Sequence, residues 1–109
     1  MSGSTPESKA QTAIDYLAST DLCHAQARAE YNALSELRKT VRSFCFDDAK
    51  GGVAERTMAA ERHEDYIEHI EKIKTAEINF HHLHNKRKRA ELTVEMYRTY
   101  SANVRKGNI

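Results

Sequence analysis

The sequence predicts an all-α protein, a long antiparallel helical hairpin with coiled-coil-like packing. Charged residues make up 30% and apolar residues 39% of its 109 residues, with one proline, four glycines and no tryptophan, which is typical of long helices. Apolar side chains recur at alternating intervals of three and four residues in both halves of the chain. The only strong helix-breaking cluster inside the chain, DDAKGG at residues 47–52, lies between these halves.

The chain is predicted to be a single domain with two helical arms. Its parts are a flexible N-terminus at 1–5, a first arm at 6–46, a turn at 47–52, a second long helix at 53–105 and a tail at 106–109. Thr5 offers a capping hydroxyl, and Pro6 lies in the first turn, where its missing N–H costs nothing. A second capping sequence, Ser-Thr-Asp, leaves open a kink at 19–21, and Gly107 is the predicted C-terminal cap.

Each arm carries one apolar stripe, and the two stripes form the predicted seam between the arms. The stripe of the first arm contains Cys23, Ala27, Leu34, Leu37, Val41 and Phe44. The stripe of the second arm contains Tyr66, Ile70, Ile73, Ala76, Phe80, Leu83, Arg87, Ala90, Val94 and Tyr97. The two cysteines, Cys23 and Cys45, are 22 residues apart on one helix, beyond disulfide reach within it, and are expected to be reduced and packed.

The second helix is predicted to extend beyond the first arm and to self-associate. Folding the arms together places Leu34 opposite Tyr66 and Leu17 opposite Leu83, so the first arm ends opposite about residue 93. The second helix is also apolar on the side opposite the seam, and a helix with two apolar faces usually has two neighbours. We therefore expect a homodimer that forms a four-helix bundle, although scattered exposed apolar residues are also normal. The predicted interface consists of Ile78, Leu92, Met96, Tyr97, Tyr100 and Val104.

The last third of the chain is basic, although the formal net charge of the whole chain is only +1. Residues 80–109 carry seven basic and two acidic side chains. Lys86 and Arg89 share one side of the helix and have no acidic residue three or four positions away, so they are available to an anion such as a nucleic-acid phosphate. A solvated charged face is the alternative. The predicted nucleic-acid-binding residues are His82, Asn85, Lys86, Arg89, Arg105 and Lys106.

The sequence predicts no catalytic residue, metal site or cofactor. His81 and His84 share a helix face but have no aligned third ligand, and the chain has no glycine-rich phosphate loop or recognisable nucleophile pattern. No apolar run reaches the ~20 residues that span a bilayer, and the N-terminus does not resemble a signal peptide. We therefore expect a cytoplasmic protein that is not an enzyme and has no small-molecule substrate.

The second helix resembles small uncharacterised proteins of tailed bacteriophages and prophages, encoded among genes for DNA recombination and single-strand annealing. The matching positions are Gly51, Val53, Ala54, Glu55, Arg56, Tyr66, Arg87, Ala90, Glu91, Arg98, Thr99, Ala102, Asn103, Arg105, Gly107, Asn108 and Ile109. The chain departs from this pattern at Gly52, where a capping Thr is common, and at Tyr97, where Trp is common. The resemblance implies a phage origin, a bacterial cytoplasm and a neighbourhood of DNA metabolism.

Together these observations predict a non-enzymatic phage accessory or adaptor protein associated with DNA processing or recombination. Its expected partners are a second copy of the chain and DNA or a DNA-processing protein. The alternative is a helical interaction module that binds and inhibits a host protein without contacting nucleic acid.

Overall fold

The structure, a computed structural model, describes residues 5–107. These residues form three helices and no strand: α1 (Pro6–Asp48), α2 (Val53–Arg62) and α3 (Glu64–Arg105). The predicted all-α helical hairpin is confirmed. Within the described residues, no helix is sufficiently long and apolar to cross a membrane.

The helices divide into two compact units. Unit 1 contains residues up to Ala25 together with those from His81 onward, and unit 2 is Gln26–Phe80. In each unit a segment of α1 packs against a segment of α3, and α2 lies in unit 2. Contacts between the two helices pair rising positions of α1 with falling positions of α3, so the segments are antiparallel within each unit.

Both predicted helix caps are present. The Ser8 N–H donates to Thr5 Oγ1 at 3.0 Å at the start of α1, and Gly107, with a φ of +74°, donates its N–H to the Val104 carbonyl at the end of α3. The helix α1 continues without a break through residues 19–21, because the hydroxyls there bind the Tyr16 carbonyl instead of capping a new helix. Most of the predicted flexible N-terminus, residues 1–4, lies outside the described residues.

The prediction of one continuous helix over 53–105 is wrong, because the chain is interrupted at His63. This residue is extended, with φ −66° and ψ 137°, and its Nδ1 accepts the N–H of Asp65 at 3.0 Å. His63 therefore caps the start of α3 as Ser or Asp does elsewhere. Histidine is not among the usual capping residues, so the pattern of breakers in the sequence did not indicate this interruption.

Arg56 closes the turn between α1 and α2. Its guanidinium lies 4.2 Å from the centre of the Phe46 ring, and its Nε donates to the Phe46 carbonyl at 3.2 Å. An Asp47 carboxylate oxygen lies 3.9 Å from its Nη2. Gly51 adopts φ +110°, which favours glycine, so the turn depends on one residue without a Cβ.

The side of α1 that faces α3 differs from the predicted stripe. Leu37 and Phe44 are 49% and 69% exposed, and Cys23 is also exposed. Ala27, Leu34 and Val41 of the predicted stripe do face α3, whereas neighbouring residues replace Cys23, Leu37 and Phe44. Many of the contacting positions are small or polar. These positions are Ala10, Ala13, Leu17, Thr20, His24, Ala27, Tyr31, Leu34, Arg38, Val41 and Cys45, at alternating intervals of three and four residues.

Polar contacts fix how α1 and α3 pair in unit 1. Arg87 Nη1 donates to the Leu17 carbonyl at 2.8 Å and to Thr20 Oγ1 at 2.7 Å, and Nη2 lies 3.5 Å from an Asp21 carboxylate oxygen. Residue 87, rather than the predicted residue 83, is therefore opposite Leu17. Charge-assisted hydrogen bonds are directional, so they define the register more strictly than apolar contacts do.

Unit 2 has a comparable set of polar contacts between α1 and α3. The His69 Nε2 lies 2.7 Å from the Leu34 carbonyl, so His69 rather than the predicted Tyr66 is opposite Leu34. Arg38 Nε donates to the Tyr66 hydroxyl at 3.2 Å. Cys45, Ala60 and Tyr66 form the small buried core of this unit.

The shifted register covers part of the helix end that was expected to be bare. Val94 and Tyr97 are half-buried, and each lines a groove between α1 and α3 in unit 1. The predicted pairing ended the first arm opposite about residue 93 and therefore left Val94 and Tyr97 without contact to α1. That expectation is wrong for both residues. Leu92 and Met96, in contrast, are 58% and 72% exposed.

Replacing Arg87 by Met should destabilise unit 1. The variant keeps much of the aliphatic packing but removes the donors to the Leu17 carbonyl and to Thr20. Hydrogen bonds from a charged donor of this kind contribute about 1 to 3 kcal/mol, so the midpoint of thermal unfolding by circular dichroism should fall clearly. The exposed Lys88→Met change is the matched control and should change stability by less than about 0.5 kcal/mol. Equal midpoints for the two variants would contradict the role given to Arg87.

Candidate nucleic-acid surface

The helix α3 distributes its run of four basic residues over different surfaces. Arg87 is half-buried and holds the Leu17 carbonyl, so it is not available to a ligand. The Lys86 ammonium lies 5.8 Å from the centre of the Tyr16 ring, a cation–π contact that orients it beside α1. Arg89 is exposed, and no acidic side chain among the described residues pairs with it. Lys86, Lys88 and Arg89 are therefore all exposed, and only Arg87 of the run is engaged in the seam.

A third cation, Lys9, joins them from α1. It lines a groove of about 430 Å³ together with Pro6, Thr93, Met96, Tyr97 and Tyr100. Lys9 and Tyr16 are seven residues apart, as are Lys86 and Thr93, so each pair shares one side of its helix. We call this surface the basic side of unit 1 and define it as Lys9, Tyr16, Lys86, Arg89, Thr93, Met96 and Tyr100.

The other groove of unit 1 has a different charge. It is lined by Ile14, Leu17, Glu91, Val94, Glu95 and Arg98, and Arg98 donates to Glu95 at 3.0 Å. Unit 1 as a whole contains eight basic and five acidic residues, whereas unit 2 contains nine basic and eleven acidic residues. The basic residues that give unit 1 its excess positive charge therefore lie mainly outside this second groove.

The remaining predicted contact residues are exposed but are not all close together. His82 and Asn85 lie on α3 within one turn of Lys86. Arg105 lies 16 residues beyond Arg89 on the same helix, about 24 Å along its axis at 1.5 Å per residue, and Lys106 follows it. The structure thus places Lys9 on the same side of unit 1 as Lys86 and Arg89, about 10 Å along the α1 axis from the Tyr16 ring that Lys86 contacts. Arg105 and Lys106 lie at a separate position near the end of α3.

The histidines form one close pair across unit 1. His24 Nε2 lies 3.2 Å from His84 Nδ1, and the two rings stack with their centroids 5.3 Å apart. The predicted pairing, which sets Leu34 opposite Tyr66, places His24 opposite roughly residue 75 instead, so this prediction is wrong by about nine residues of α3. Among residues 5–107, no group of three or more His, Cys, Asp or Glu side chains is arranged to hold a metal ion.

The two cysteines occupy different environments. Cys45 is buried in the core of unit 2, where desolvation, with the nearby Asp65 charge adding to it, raises the pKa of its thiol. Cys23 is exposed, so the expectation that both cysteines are packed is wrong for this one. The raised pKa lowers the thiolate fraction of Cys45 at any given pH, and only the thiolate is a good nucleophile.

Alkylation should distinguish the two thiols. Native protein treated with iodoacetamide at neutral pH should be modified first at Cys23, because this thiol is exposed, while Cys45 is buried and less ionised. Mass spectrometry of tryptic peptides measures both sites, and unfolding in urea should make Cys45 reactive as well. Equal rates at the two sites in native protein would show that the core of unit 2 opens freely.

Comparison of the chain with models of protein families, with curated proteins and with solved structures finds no match in any of the three.

Proposed function

We propose that this chain is a non-enzymatic phage accessory or adaptor protein of DNA processing or recombination, which contacts nucleic acid through the basic side of unit 1. The observation that carries the proposal is the placement of Lys9, Lys86 and Arg89 on one side of a unit with an excess of positive charge. The resemblance of the second helix to small phage proteins supports a phage origin and action in the bacterial cytoplasm.

The chemistry of this side fits a phosphate backbone better than a particular base sequence. Lys86 and Arg89 lie three residues apart on α3, about 4.5 Å along the axis, and Lys9 extends the positive surface to α1. Three phosphate contacts predict a slope of about −2 to −3 in a plot of log affinity against log salt concentration.

Charge reversal should remove nucleic-acid binding selectively. In the double variant Lys86→Glu/Arg89→Glu, fluorescence anisotropy with a labelled oligonucleotide at low salt should show at least about a tenfold loss of affinity, because two phosphate contacts become repulsive. Lys88→Glu/Arg98→Glu is the matched control, since it makes the same change in net charge on the same helix but outside the basic side. Its affinity should fall much less.

Two results would contradict this proposal. One is the absence of any binding of single- or double-stranded DNA even at low salt. The other is an equal loss of affinity in both double variants, because net charge alone would then explain the binding.

We also propose that the chain forms a homodimer through the outward face of α3. Leu92 and Met96 are 58% and 72% exposed, and Tyr100 and Val104 are 42% and 46% exposed. Met96 and Tyr100 also line the groove that contains Lys9, so this face adjoins the basic side of unit 1. Tyr97 is a weaker member of the predicted interface because α1 partly covers it. Ile78, in unit 2, is exposed as well. Burial of such residues against a second copy would add apolar contact that each copy lacks.

Light scattering tests the dimer directly. The wild-type chain at micromolar concentration should show twice the monomer mass of 12.4 kDa, and Leu92→Gln/Met96→Gln should shift it to the monomer mass. Because both residues are exposed, the helical circular-dichroism signal of the variant should persist. A wild-type mass equal to that of the monomer would refute the dimer.

The second candidate function is an interaction module that binds and inhibits a host protein without nucleic acid. The same exposed apolar residues favour it, since a protein partner could cover Leu92 and Met96. The oligonucleotide measurement separates the two functions, because this module would show no salt-dependent DNA binding.

A further inference from the structure

Unit 2 contains a groove that combines acidic and apolar groups. It has a volume of about 320 Å³ and is lined in part by Val41, Phe44, Asp65, Glu68 and His69. Phe44 is 69% exposed, although it is one of the largest apolar side chains of the unit. The Phe44 ring therefore offers apolar surface beside the carboxylates of Asp65 and Glu68, which a partner that is both cationic and apolar could cover.

A second groove adjoins the first along α3. The two share Glu68 and Lys72, and the second adds Glu30, Leu34 and Glu71. We call the two together the acidic groove of unit 2. Its lining contains four carboxylates, those of Glu30, Asp65, Glu68 and Glu71, and one cation, Lys72, so it carries a net negative charge. Two of these carboxylates have exposed lysine partners, Glu68 with Lys72 at 3.7 Å and Glu71 with Lys74 at 3.4 Å, and such exposed pairs are weak enough for a cationic ligand to replace.

His69 joins this groove to α1. The residue is only 8% exposed, and its Nε2 lies 2.7 Å from the Leu34 carbonyl. A carbonyl oxygen only accepts, so Nε2 carries a proton and donates it. The hydrogen bond holds α1 and α3 together where the groove is lined by Asp65 and Glu68, whose carboxylates are its acceptors.

The occupant that fits these groups is cationic and apolar at once. Lysine and arginine side chains supply donors and positive charge for the carboxylates, and an arginine can also stack on the Phe44 ring. Apolar side chains beside them would cover Val41 and Leu34. A nucleic acid is excluded as the ligand of this groove, because its phosphates would be repelled by the carboxylates.

The length of the acidic groove favours a helix. Its α3 residues run from Asp65 to Asn79, 15 residues that span about 21 Å, or about four helical turns. Glu68 and Glu71 are three residues apart and therefore lie on adjacent turns of one side. A partner helix with basic residues three or four positions apart matches this spacing.

We propose that the acidic groove of unit 2 binds an amphipathic helix of a partner protein, one that carries arginines or lysines beside an apolar stripe. The proposal goes beyond nucleic-acid contact, because it gives unit 2 a protein ligand of its own. It uses none of the residues of the basic side of unit 1.

A designed peptide serves as the probe. It is a fluorescein-labelled amphipathic helix of about 18 residues made of Leu, Ala and Arg, with Leu at intervals of three and four and Arg beside the stripe. The full-length chain should bind it by fluorescence anisotropy, and the affinity should fall as salt rises. A peptide of the same composition with the stripe scrambled, and one with Glu in place of Arg, should both bind at least about tenfold more weakly.

Variants of the chain locate the binding. Asp65→Asn/Glu68→Gln should weaken peptide affinity by about tenfold or more, since it removes two of the four carboxylates. Glu36→Gln/Glu55→Gln, which makes the same charge change in unit 2 outside the groove, should change it by less than about threefold. Phe44→Ser should weaken binding without lowering the melting temperature, because the ring is exposed in the free protein.

Three results would overturn the proposal: no peptide binding at low salt, equal binding of the scrambled or Glu-containing peptide, or equal losses in the two double variants. A fall in native mass of Asp65→Asn/Glu68→Gln would also overturn it, since the groove would then contact a second copy. Oligonucleotide binding by this variant should stay unchanged. Failure of the groove proposal is therefore distinguishable from failure of the nucleic-acid proposal.

Discussion

The contact of Arg87 with the Leu17 carbonyl and Thr20 is the constraint on which the rest of unit 1 depends. It sets which residues of α1 and α3 are neighbours, and a register displaced by one turn would leave a half-buried guanidinium without acceptors. Such an unsatisfied charge costs several kcal/mol, far more than the small apolar contacts around it can offset. The positions of Lys86 beside Tyr16 and of Lys9 beside Tyr100 follow from this register.

The seam between α1 and α3 is specific rather than strongly hydrophobic. No large side chain among the described residues is fully buried, and most of the buried apolar residues are alanines. Small residues allow two helices to approach closely, but burying them contributes little because they remove little apolar area from water. Paired polar groups such as Tyr31 with Glu77, whose hydrogen bond and charge raise the pKa of the tyrosine, instead select one alignment.

Local signals in the sequence predicted the helices well, whereas contacts between helices were harder to predict. Thr5 and Gly107 act through their own backbone neighbourhoods, so both caps were predictable. The α1 stripe was misplaced because an apolar pattern favours Leu37 over Arg38, although the latter meets the Tyr66 hydroxyl. The candidate surface was predictable only in part, for the same reason. Spacing on one helix indicated Lys86 and Arg89, whereas Lys9 lies on their side only because α1 packs against α3.

The nearly neutral composition of the chain conceals two surfaces of opposite charge. Unit 1 has three more basic than acidic residues and unit 2 has two more acidic than basic residues, so the excesses nearly cancel in the net charge of +1. Long-range attraction depends on local potential rather than on total charge, so a different ligand class can be proposed for each unit. Because the basic side and the acidic groove share no residue, the proposed phosphate contact and the proposed helix contact would not compete for side chains. Two non-overlapping sites of this kind would serve the proposed adaptor between a nucleic acid and a protein.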